Sequence, residues 1–365
     1  MEMQAAVFRK VQEPLTIESV DVDKPWGREV LVRTAATGVC HSDLHVVDGL
    51  GRFALDRPIV LGHEGAGVVE AVGADVTTVR PGDHIVACLS GFCGSCAQCL
   101  DGHPNLCTGG VVTRPDSGAP RLSQKGAPFR QFIGISSYAE KMLLHENSIV
   151  KIDPDLPFDR AALVGCGVLT GVGAALRTSG LQAGQTVAVF GCGGVGLSIV
   201  QGARIGGARQ IIGVDMFDGK LEMARRVGAT HVVNSAHDDP VKAIRALTRG
   251  AGVDHSFEAV GNAKLVRQAI ESLAIRGTAT IVGVMPPDAM IEFPWMAIRP
   301  ECKVQTSRMG SNRFRMDIPL YLEFYRQGKL MLDEMVSCRG KLGDINEAFR
   351  AMKAGEVARS VLTFN

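Results

Sequence analysis

The sequence predicts an α/β protein with two domains, one rich in β-strands and one built on a doubly wound parallel sheet. Its 365 residues are enough for about two domains with substantial cores. Before about residue 170, short β-branched runs alternate with turns rich in glycine and proline. From residue 185 to about residue 307, strand and helix patterns follow one another in turn, which is typical of parallel sheets.

The first region contains predicted strands at residues 29–33, 65–72 and 84–88. Residues 79–83 read Val-Arg-Pro-Gly-Asp, which predicts a turn leading into a strand. Residues 109–132 are so rich in glycine, proline and charge that we predict one long irregular loop. These features favour an irregular β-rich domain.

The second region contains six predicted strands, at residues 186–190, 210–214, 231–233, 253–258, 278–283 and 303–306. Helical periodicity lies between the first five strands, for example at 195–205 and 220–227. Beyond residue 310 the pattern predicts helices at 318–326 and 344–354 and a last strand at 360–364.

Charge and composition exclude several classes of protein. The net charge is +1, with 39 basic and 38 acidic residues scattered along the chain. No polybasic tract offers a surface for nucleic acid or for an anionic membrane. Residues 1–10 lack the apolar stretch of a signal peptide, and no uncharged apolar run reaches transmembrane length. We therefore expect a soluble cytoplasmic enzyme, in which thiols bind metal or do chemistry.

Cys93, Cys96, Cys99 and Cys107 lie in one short, glycine-rich segment. Cysteines three positions apart can turn both sulfurs inward, and zinc takes four such ligands in a tetrahedron. Four thiolates leave no position for water or substrate, so this pattern predicts a structural zinc site. The alternatives are two disulfides, or cysteines buried as small apolar residues.

A glycine motif, Gly191-Cys-Gly-Gly-Val-Gly196, follows the first strand of the second region and begins a helix. An acidic residue, Asp215, ends the next strand 24 positions after Gly191. In this context Gly191 allows the tight turn, Gly193 lets the backbone approach a pyrophosphate, and Gly196 permits close helix packing. The helix N-terminus and Asp215 would bind the phosphates and the ribose of a dinucleotide. The alternative is a plain glycine-rich turn.

A third set of residues is dispersed along the chain. Cys40 follows a predicted strand, His63 lies in Gly-His-Glu, and Cys166 lies in a Gly-Cys-Gly turn. None of the three is diagnostic alone, because a single histidine or cysteine more often packs than binds metal. Together they would supply two thiolates and one imidazole, leaving the fourth zinc position open for water or substrate.

These residues together resemble the zinc-dependent alcohol dehydrogenases of the medium-chain dehydrogenase/reductase family, in its long-form, liver-type-like branch. The resemblance covers essentially the whole chain, from Gly-His63-Glu64 through the four-cysteine segment and the glycine motif to the closing Arg359-Ser-Val-Leu-Thr-Phe364. It implies a GroES-like β-barrel catalytic domain at 1–170 and 308–365. A Rossmann domain that binds NAD would lie at 171–307.

By this resemblance, Cys40, His63 and Cys166 would hold a catalytic zinc, in addition to the structural one. Glu64 would lie behind that metal, and Asp43 would orient His63. The proton of the alcohol would pass from Ser42 through the nicotinamide ribose to His45. Thr170 and Val195 would press the nicotinamide ring toward the substrate.

The resemblance also implies the residues that bind NAD and substrate. Cofactor contacts are expected from His41, Gly191, Gly193, Gly194, Val195, Gly196, Asp215, Lys220 and Arg359. The walls of the substrate pocket would be Leu89, Phe132, Ile133 and Val284. All four are apolar, which favours a hydrophobic alcohol over a polyol or sugar.

The expected activity is a reversible hydride transfer from a hydrophobic alcohol to NAD, giving an aldehyde or ketone. An alternative within the family is the glutathione-dependent formaldehyde (S-hydroxymethylglutathione) dehydrogenase. That branch has an arginine near the position of Val111 that holds a carboxylate, and this chain has a valine at that position. The resemblance also implies a homodimer formed through sheet edges of the Rossmann domain, near residues 278–285 and 297–306, with a tetramer as the alternative.

Two hypotheses from other classes of protein agree less well with the sequence. A zinc-free quinone reductase of the same superfamily would lack both cysteine sets. A zinc-ribbon module that binds nucleic acid would have a basic surface, whereas residues 88–107 contain one aspartate, one histidine and no lysine or arginine.

Overall fold

The computed structural model describes residues 1–50, 56–110, 114 and 118–364. By their contacts these residues form two compact units. The first unit comprises Met1–Cys166, Arg313–Phe324 and Met335–Asn365, and the second comprises Gly167–Asn312 and Tyr325–Glu334. The predicted functional domains, 1–170 with 308–365 and 171–307, remain a prediction.

Most of the strands among the described residues lie in the first unit. They are β1 (Glu2–Phe8), β2 (Thr16–Val22), β3 (Glu29–Gly38), β4 (Ile59–Val60), β5 (Glu64–Val72), β6 (His84–Ala87), β7 (Leu122–Gln124), β8 (Ala127–Pro128), β9 (Arg130–Gln131), β10 (Lys141–His145) and β11 (Ile149–Ile152). In the second unit β12 (Thr186–Phe190), β13 (Gln210–Asp215), β14 (His231–Asn234), β15 (Val253–Glu258), β16 (Leu273–Ile281) and β17 (Lys303–Thr306) follow. The first unit then adds β18 (Val336–Gly340) and β19 (Arg359–Thr363).

The α-helices are mostly short in the first unit and longer in the second. They are α1 (His41–Val47), α2 (Ala97–Leu100), α3 (Phe158–Leu163), α4 (Leu169–Gly173), α5 (Gly194–Ile205), α6 (Asp218–Val227), α7 (Pro240–Leu247), α8 (Ala263–Glu271), α9 (Phe314–Arg326) and α10 (Ile345–Lys353). The predicted strand at 360–364 is thus β19, and the predicted terminal helices are α9 and α10.

Two sheets form the first unit, one of six strands in the order β8-β7-β2-β1-β4-β9 and one of seven that runs β11-β6-β5-β3-β19-β18, with β10 also on β3. In the second of these sheets Gly38 of β3 lies opposite Glu64 of β5. Because of this register, Cys40, which follows β3, lies at the same end of the two strands as His63, which precedes β5. The sheet therefore brings together residues that are far apart in the sequence.

The sequence prediction of one irregular loop at 109–132 is wrong in its second half. That segment contributes the short strands β7, β8 and β9, and Ser123 of β7 pairs with Asp21 of β2. Pairing with a longer strand supplies the backbone hydrogen bonds that the local composition would not stabilise alone. Residues 111–113 and 115–117 of the segment lie outside the described residues.

The second unit contains the predicted doubly wound sheet, which is confirmed. Its order is β14-β13-β12-β15-β16-β17, and each neighbouring pair is parallel. The order reverses direction between β12 and β15, and in such sheets ligands bind outside the carboxyl ends of the strands at this switch point. Gly191 and the loop after Glu258 lie at these two strand ends.

Cys166 does not lie in a turn, as the sequence predicted, but in a π-helical turn, Val164–Val168, of a helix that extends over Phe158–Thr178. Gly165 permits this because a side chain there would collide with the carbonyl oxygen of Ala87. By length and composition this helix is apolar enough to cross a membrane. Since 83% of its most apolar window is buried inside the protein, it has the character of a core helix.

Candidate active site

The four cysteines predicted to bind a structural zinc lie together, with all Sγ atoms within 4.8 Å of one another. The Sγ of Cys96 lies 3.5 Å from that of Cys99 and 3.8 Å from that of Cys107. Ligands about 2.3 Å from a tetrahedral zinc lie about 3.8 Å apart, so the four sulfurs fit one ion. None of the ten cysteines, all of which the structure describes, forms a disulfide.

Backbone N–H groups stabilise negative charge on these sulfurs. Those of Ser95 and Cys96 donate to Cys93 Sγ at 3.4 and 3.3 Å, and that of Cys93 donates to Cys107 Sγ at 3.2 Å. Such hydrogen bonds lower the pKa of Cys93 to about 7 and that of Cys96 to about 5. Burial raises the pKa of Cys99 to about 12, so zinc must displace that proton.

We expect Cys99→Ser to reduce the yield of soluble protein and the melting temperature, because a structural zinc contributes folding free energy directly. The melting temperature from thermal unfolding and the zinc content per chain are measured for the variant and the wild type. A variant that loses one zinc and keeps the wild-type melting temperature would show that the four-cysteine site does not stabilise the fold.

The second cluster consists of Cys40, His63, Glu64 and Cys166. Their ligand atoms also lie within 4.8 Å of one another, and all four residues are buried. His63 Nε2 lies 3.3 Å from Cys166 Sγ. Two sulfurs, one imidazole nitrogen and a nearby carboxylate are the donor set of an open zinc site.

His63 is held from behind by Asp43. Its Nδ1 lies 3.1 Å from Asp43 Oδ2, and both side chains are fully buried. Burial acts to lower the pKa of His63, but the negative charges of Asp43 and Cys40 outweigh it and raise the pKa to about 10. Surroundings that hold a proton this tightly also stabilise a divalent cation.

Glu64, the carboxylate of the second cluster, has one oxygen in a hydrogen bond and one without a partner among the described residues. Its Oε2 accepts a hydrogen bond from the Arg359 guanidinium, whereas its Oε1 is buried and has no hydrogen-bond partner among the described residues. A buried carboxylate oxygen without a partner is costly unless a cation is near. The residues present therefore fit a metal ion at this position. Arg359, expected to contact pyrophosphate, is 6% exposed.

The predicted pocket residues divide between the two units. Phe132 packs against His63, with ring centroids 5.7 Å apart, and is itself buried. Ile133 has a φ of 50°, a strained conformation for a β-branched residue, and such strain concentrates at functional sites. Leu89 is half-buried in the first unit, while Val284 belongs to the second unit and is 66% exposed.

The residues of the expected proton relay lie on α1. Ser42 and His45 are both half-buried, so each has access to solvent as well as to the protein interior. His41 is exposed at the start of the same helix, and its ring centroid lies 6.5 Å from that of His45. These positions are compatible with a relay that ends in water.

In the second unit the glycine motif has the geometry that a dinucleotide needs. Gly191 has a φ of 93°, which L-residues rarely adopt. A side chain at Gly196 would collide with the Gly191 carbonyl oxygen, whereas a Cβ at Gly193 would meet no atom within 4 Å. The open space beside Gly193 lies at the N-terminus of α5, where backbone N–H groups bind phosphates. Gly194 and Val195 begin that helix.

Asp215 ends β13 and faces the glycine turn. Its Oδ2 accepts a hydrogen bond from the Cys192 N–H at 2.8 Å, and its Oδ1 accepts from Met216 and Phe217 at 2.8 and 3.1 Å. A carboxylate has about four acceptor positions, so capacity remains for a ribose hydroxyl. The Lys220 ammonium lies 4.8 Å from the centre of the Phe217 ring, which follows Asp215 in the sequence.

Thr170 is almost buried in α4, and its hydroxyl donates to the sulfur of Met309 at 3.3 Å. Val195, with which it was paired in the prediction, is half-buried at the start of α5. Both residues lie in the second unit, which also contains the glycine motif.

Sequence reasoning missed two buried polar side chains beside these sites. Tyr138 donates its hydroxyl hydrogen to Asp43 Oδ2 at 3.0 Å. Glu258 ends β15 at the switch point, and its Oε1 accepts hydrogen bonds from the N–H groups of Val260, Gly261 and Asn262. An acidic residue at the end of a predicted strand is a signal for the second, but no local pattern distinguishes Tyr138.

Two family models match the chain. The alcohol dehydrogenase GroES-like domain matches residues 27–154, and the zinc-binding dehydrogenase model matches residues 194–326. A curated relative, the S-(hydroxymethyl)glutathione dehydrogenase of Paracoccus denitrificans, is 38% identical, and the alignment covers 100% of both chains. The curated relatives also include proteins named alcohol dehydrogenase class-3.

Two solved structures show the same fold. The alcohol dehydrogenase zinc-binding domain protein of Burkholderia ambifaria is 36% identical, with a TM-score of 0.94 over 100% of this chain and 99% of that one. The benzyl alcohol dehydrogenase of Acinetobacter calcoaceticus is 32% identical, with a TM-score of 0.92 over 100% of both chains.

The fold, the two cysteine clusters and the glycine motif define a zinc- and dinucleotide-dependent oxidoreductase. The chain belongs to the zinc-dependent alcohol dehydrogenases of the medium-chain dehydrogenase/reductase family. The predicted family, fold and enzyme class are thereby confirmed, and zinc and NAD are the cofactors.

Proposed function

We propose that this enzyme reversibly oxidises a hydrophobic alcohol to an aldehyde or ketone, with NAD as hydride acceptor, at a zinc held by Cys40, His63 and Cys166. The main support for this proposal is the second cluster, formed by Cys40, His63, Glu64 and Cys166. Its two sulfurs, imidazole and carboxylate lie within 4.8 Å of one another, and all four residues are buried. The Phe132 ring beside His63 supplies an apolar wall.

Each residue has a role in this reaction. A zinc ion, when bound, stabilises the alkoxide form of the alcohol oxygen. Asp43 keeps His63 Nδ1 protonated, so that Nε2 is free to bind the metal. Phe132 contacts the apolar part of the alcohol and excludes water. Ser42 accepts the hydroxyl proton and His45 releases it to solvent. Asp215 and the glycine motif bind NAD.

We expect His45→Gln to slow turnover by up to about a hundredfold, the lower end of acid–base contributions, and most strongly below neutral pH. At low pH the solution offers fewer bases to take up the alcohol proton, so the relay matters most there. Added buffer bases should restore part of the rate, since metal and hydride geometry are unchanged. A pH–rate profile identical to that of the wild type would contradict the relay.

A second candidate activity is the oxidation of S-(hydroxymethyl)glutathione. It is favoured by the name of the Paracoccus relative, which is 38% identical over the full chain. It is opposed by the apolar character of Leu89, Phe132 and Ile133. The arginine nearest to Val111 in the sequence, Arg114, is already engaged, because its guanidinium donates to Asp23 and Glu29. The benzyl alcohol dehydrogenase among the structural relatives supports the first proposal.

A substrate panel distinguishes the two candidates. Primary, secondary, aromatic and terpenoid alcohols and S-(hydroxymethyl)glutathione are each supplied with NAD, and NADH is followed by its absorbance. We expect the highest kcat/KM with an aromatic or other large apolar alcohol. The highest value with S-(hydroxymethyl)glutathione would overturn the proposed substrate class while leaving the zinc chemistry intact.

We also propose that the enzyme is a soluble, cytoplasmic homodimer. In the second unit β17 is an edge strand, and its residues are largely exposed. Close to it in sequence, Trp295 and Met296 are 81% and 84% exposed. An open strand edge with large exposed apolar residues is typical of a subunit interface. Sedimentation at several concentrations should give twice the monomer mass.

A further inference from the structure

Tyr138 is linked to the candidate catalytic site through Asp43. Its side chain is fully buried, and its hydroxyl donates to Asp43 Oδ2 at 3.0 Å. The same carboxylate oxygen lies 3.1 Å from His63 Nδ1, and the other carboxylate oxygen accepts from the Gly62 N–H at 2.8 Å. Asp43 is therefore fixed by two hydrogen bonds, one of which comes from the tyrosine, and it lies against His63 Nδ1.

The fold holds Tyr138 in this position. Its backbone N–H donates to the Leu61 carbonyl at 3.0 Å, and its carbonyl accepts from the Ala6 N–H at 2.8 Å. Its ring packs edge-to-face on Phe349, with centroids 6.2 Å apart. Gly62, with a φ of 90°, makes room, because a Cβ there would lie 2.6 Å from Tyr138 Cδ1.

We propose that Tyr138 is a positioning residue for the catalytic zinc. Its hydroxyl orients the Asp43 carboxylate toward His63 Nδ1, and Asp43 in turn keeps His63 Nε2 directed at the metal. This inference rests on the proposed function, since it assumes that Cys40, His63 and Cys166 bind zinc.

The hydroxyl can act only as a donor toward Asp43. Burial, and then the charge of Asp43, raise the pKa of Tyr138 well above its ordinary value, so the phenol keeps its proton. Partners behind a metal ligand are worth about 10- to 100-fold in metal affinity. Tyr138 acts one hydrogen bond farther away, so we expect the lower end of that range, about tenfold.

The test is Tyr138→Phe, which removes the hydroxyl and preserves the ring. Zinc transfer from the purified enzyme to a chromogenic chelator is followed over time. We expect the catalytic zinc to leave about tenfold faster, while the four-cysteine zinc of the same protein leaves at the wild-type rate. Cobalt substituted at the catalytic site should show a shifted visible spectrum, which reports ligand geometry independently of activity.

Tyr321→Phe is the matched control, because Tyr321 is an equally buried tyrosine of the first unit. It should change neither the release rate nor the cobalt spectrum. Release from Tyr138→Phe at the wild-type rate, with an unchanged spectrum, would overturn the inference. Faster release of both zinc ions would also overturn it, because that result indicates general loosening of the fold.

A double mutant tests the route through Asp43. If Tyr138 acts by orienting Asp43, adding Tyr138→Phe to Asp43→Asn should accelerate zinc release little beyond Asp43→Asn alone. Independent, multiplicative effects would overturn the inference. A wild-type enzyme with only one zinc per chain would overturn the proposed catalytic site, and this inference with it. Two zinc ions with no effect of the tyrosine would overturn only the inference.

Discussion

Cys166→Ser should reduce the zinc content from two ions per chain to about one and lower kcat/KM at least about a thousandfold, with the fold retained. The loss reflects several kcal/mol of charge stabilisation at the alcohol oxygen, about 4 kcal/mol for this factor. The fold is retained because the hydroxyl is close in size to the thiol and the residue lies in a long helix within a packed core. Metal analysis and circular dichroism provide the measurements.

Cys338→Ser is the control for this experiment, since Cys338 is exposed on β18 and belongs to neither cluster. It should retain both zinc ions and full activity. If instead Cys166→Ser and Cys99→Ser damaged folding equally, the division into a catalytic and a structural site would be wrong.

The second large effect concerns the choice between NAD and NADP. We expect the unaltered enzyme to prefer NAD by about a thousandfold in kcat/KM, which corresponds to several kcal/mol. Asp215 can accept a ribose hydroxyl, whereas the 2′-phosphate of NADP would place about two negative charges against it. Met216 and Phe217 follow, and neither offers a positive charge to a phosphate.

Two substitutions separate charge from hydrogen bonding in this effect. Asp215→Gly removes both and should weaken NAD use while admitting NADP. Asp215→Asn keeps an oxygen that can accept from the Cys192 N–H, so it should admit NADP with a smaller loss of NAD use. Steady-state kinetics with both cofactors provide the measurement. Equal efficiency with both cofactors in the unaltered enzyme would show that Asp215 does not face the ribose.

The sheet of the second unit could be predicted almost strand by strand because strand and helix patterns alternate regularly along this part of the sequence. The predicted strand at 186–190 coincides with β12, and the one at 303–306 coincides with β17. The first unit was harder to predict, because β4, β8 and β9 have only two residues each and depend on pairing with distant strands. Such pairing leaves little trace in the local sequence.

The metal-binding residues were predictable to different degrees. Four cysteines within one segment carry their own signal, whereas Cys40, His63 and Cys166 could be grouped only through the resemblance to a family. The π-helical turn around Cys166 was missed, because its glycines read as a turn. Tyr138 was missed because its role arises from a contact with Asp43, 95 positions away in the sequence.

The spacing of the ligands along the chain has a consequence for biosynthesis. Cys93 and Cys107, in the four-cysteine segment, are 14 positions apart, while His63 and Cys166 are 103 positions apart. Closing a long loop costs more entropy than closing a short one, and contacts between distant residues form late. The four-cysteine segment can therefore bind its zinc while the ribosome is still extending the chain. The catalytic zinc can bind only after the first unit and the helix around Cys166 have folded. A cell short of zinc would therefore accumulate folded enzyme that holds only the structural zinc and is inactive.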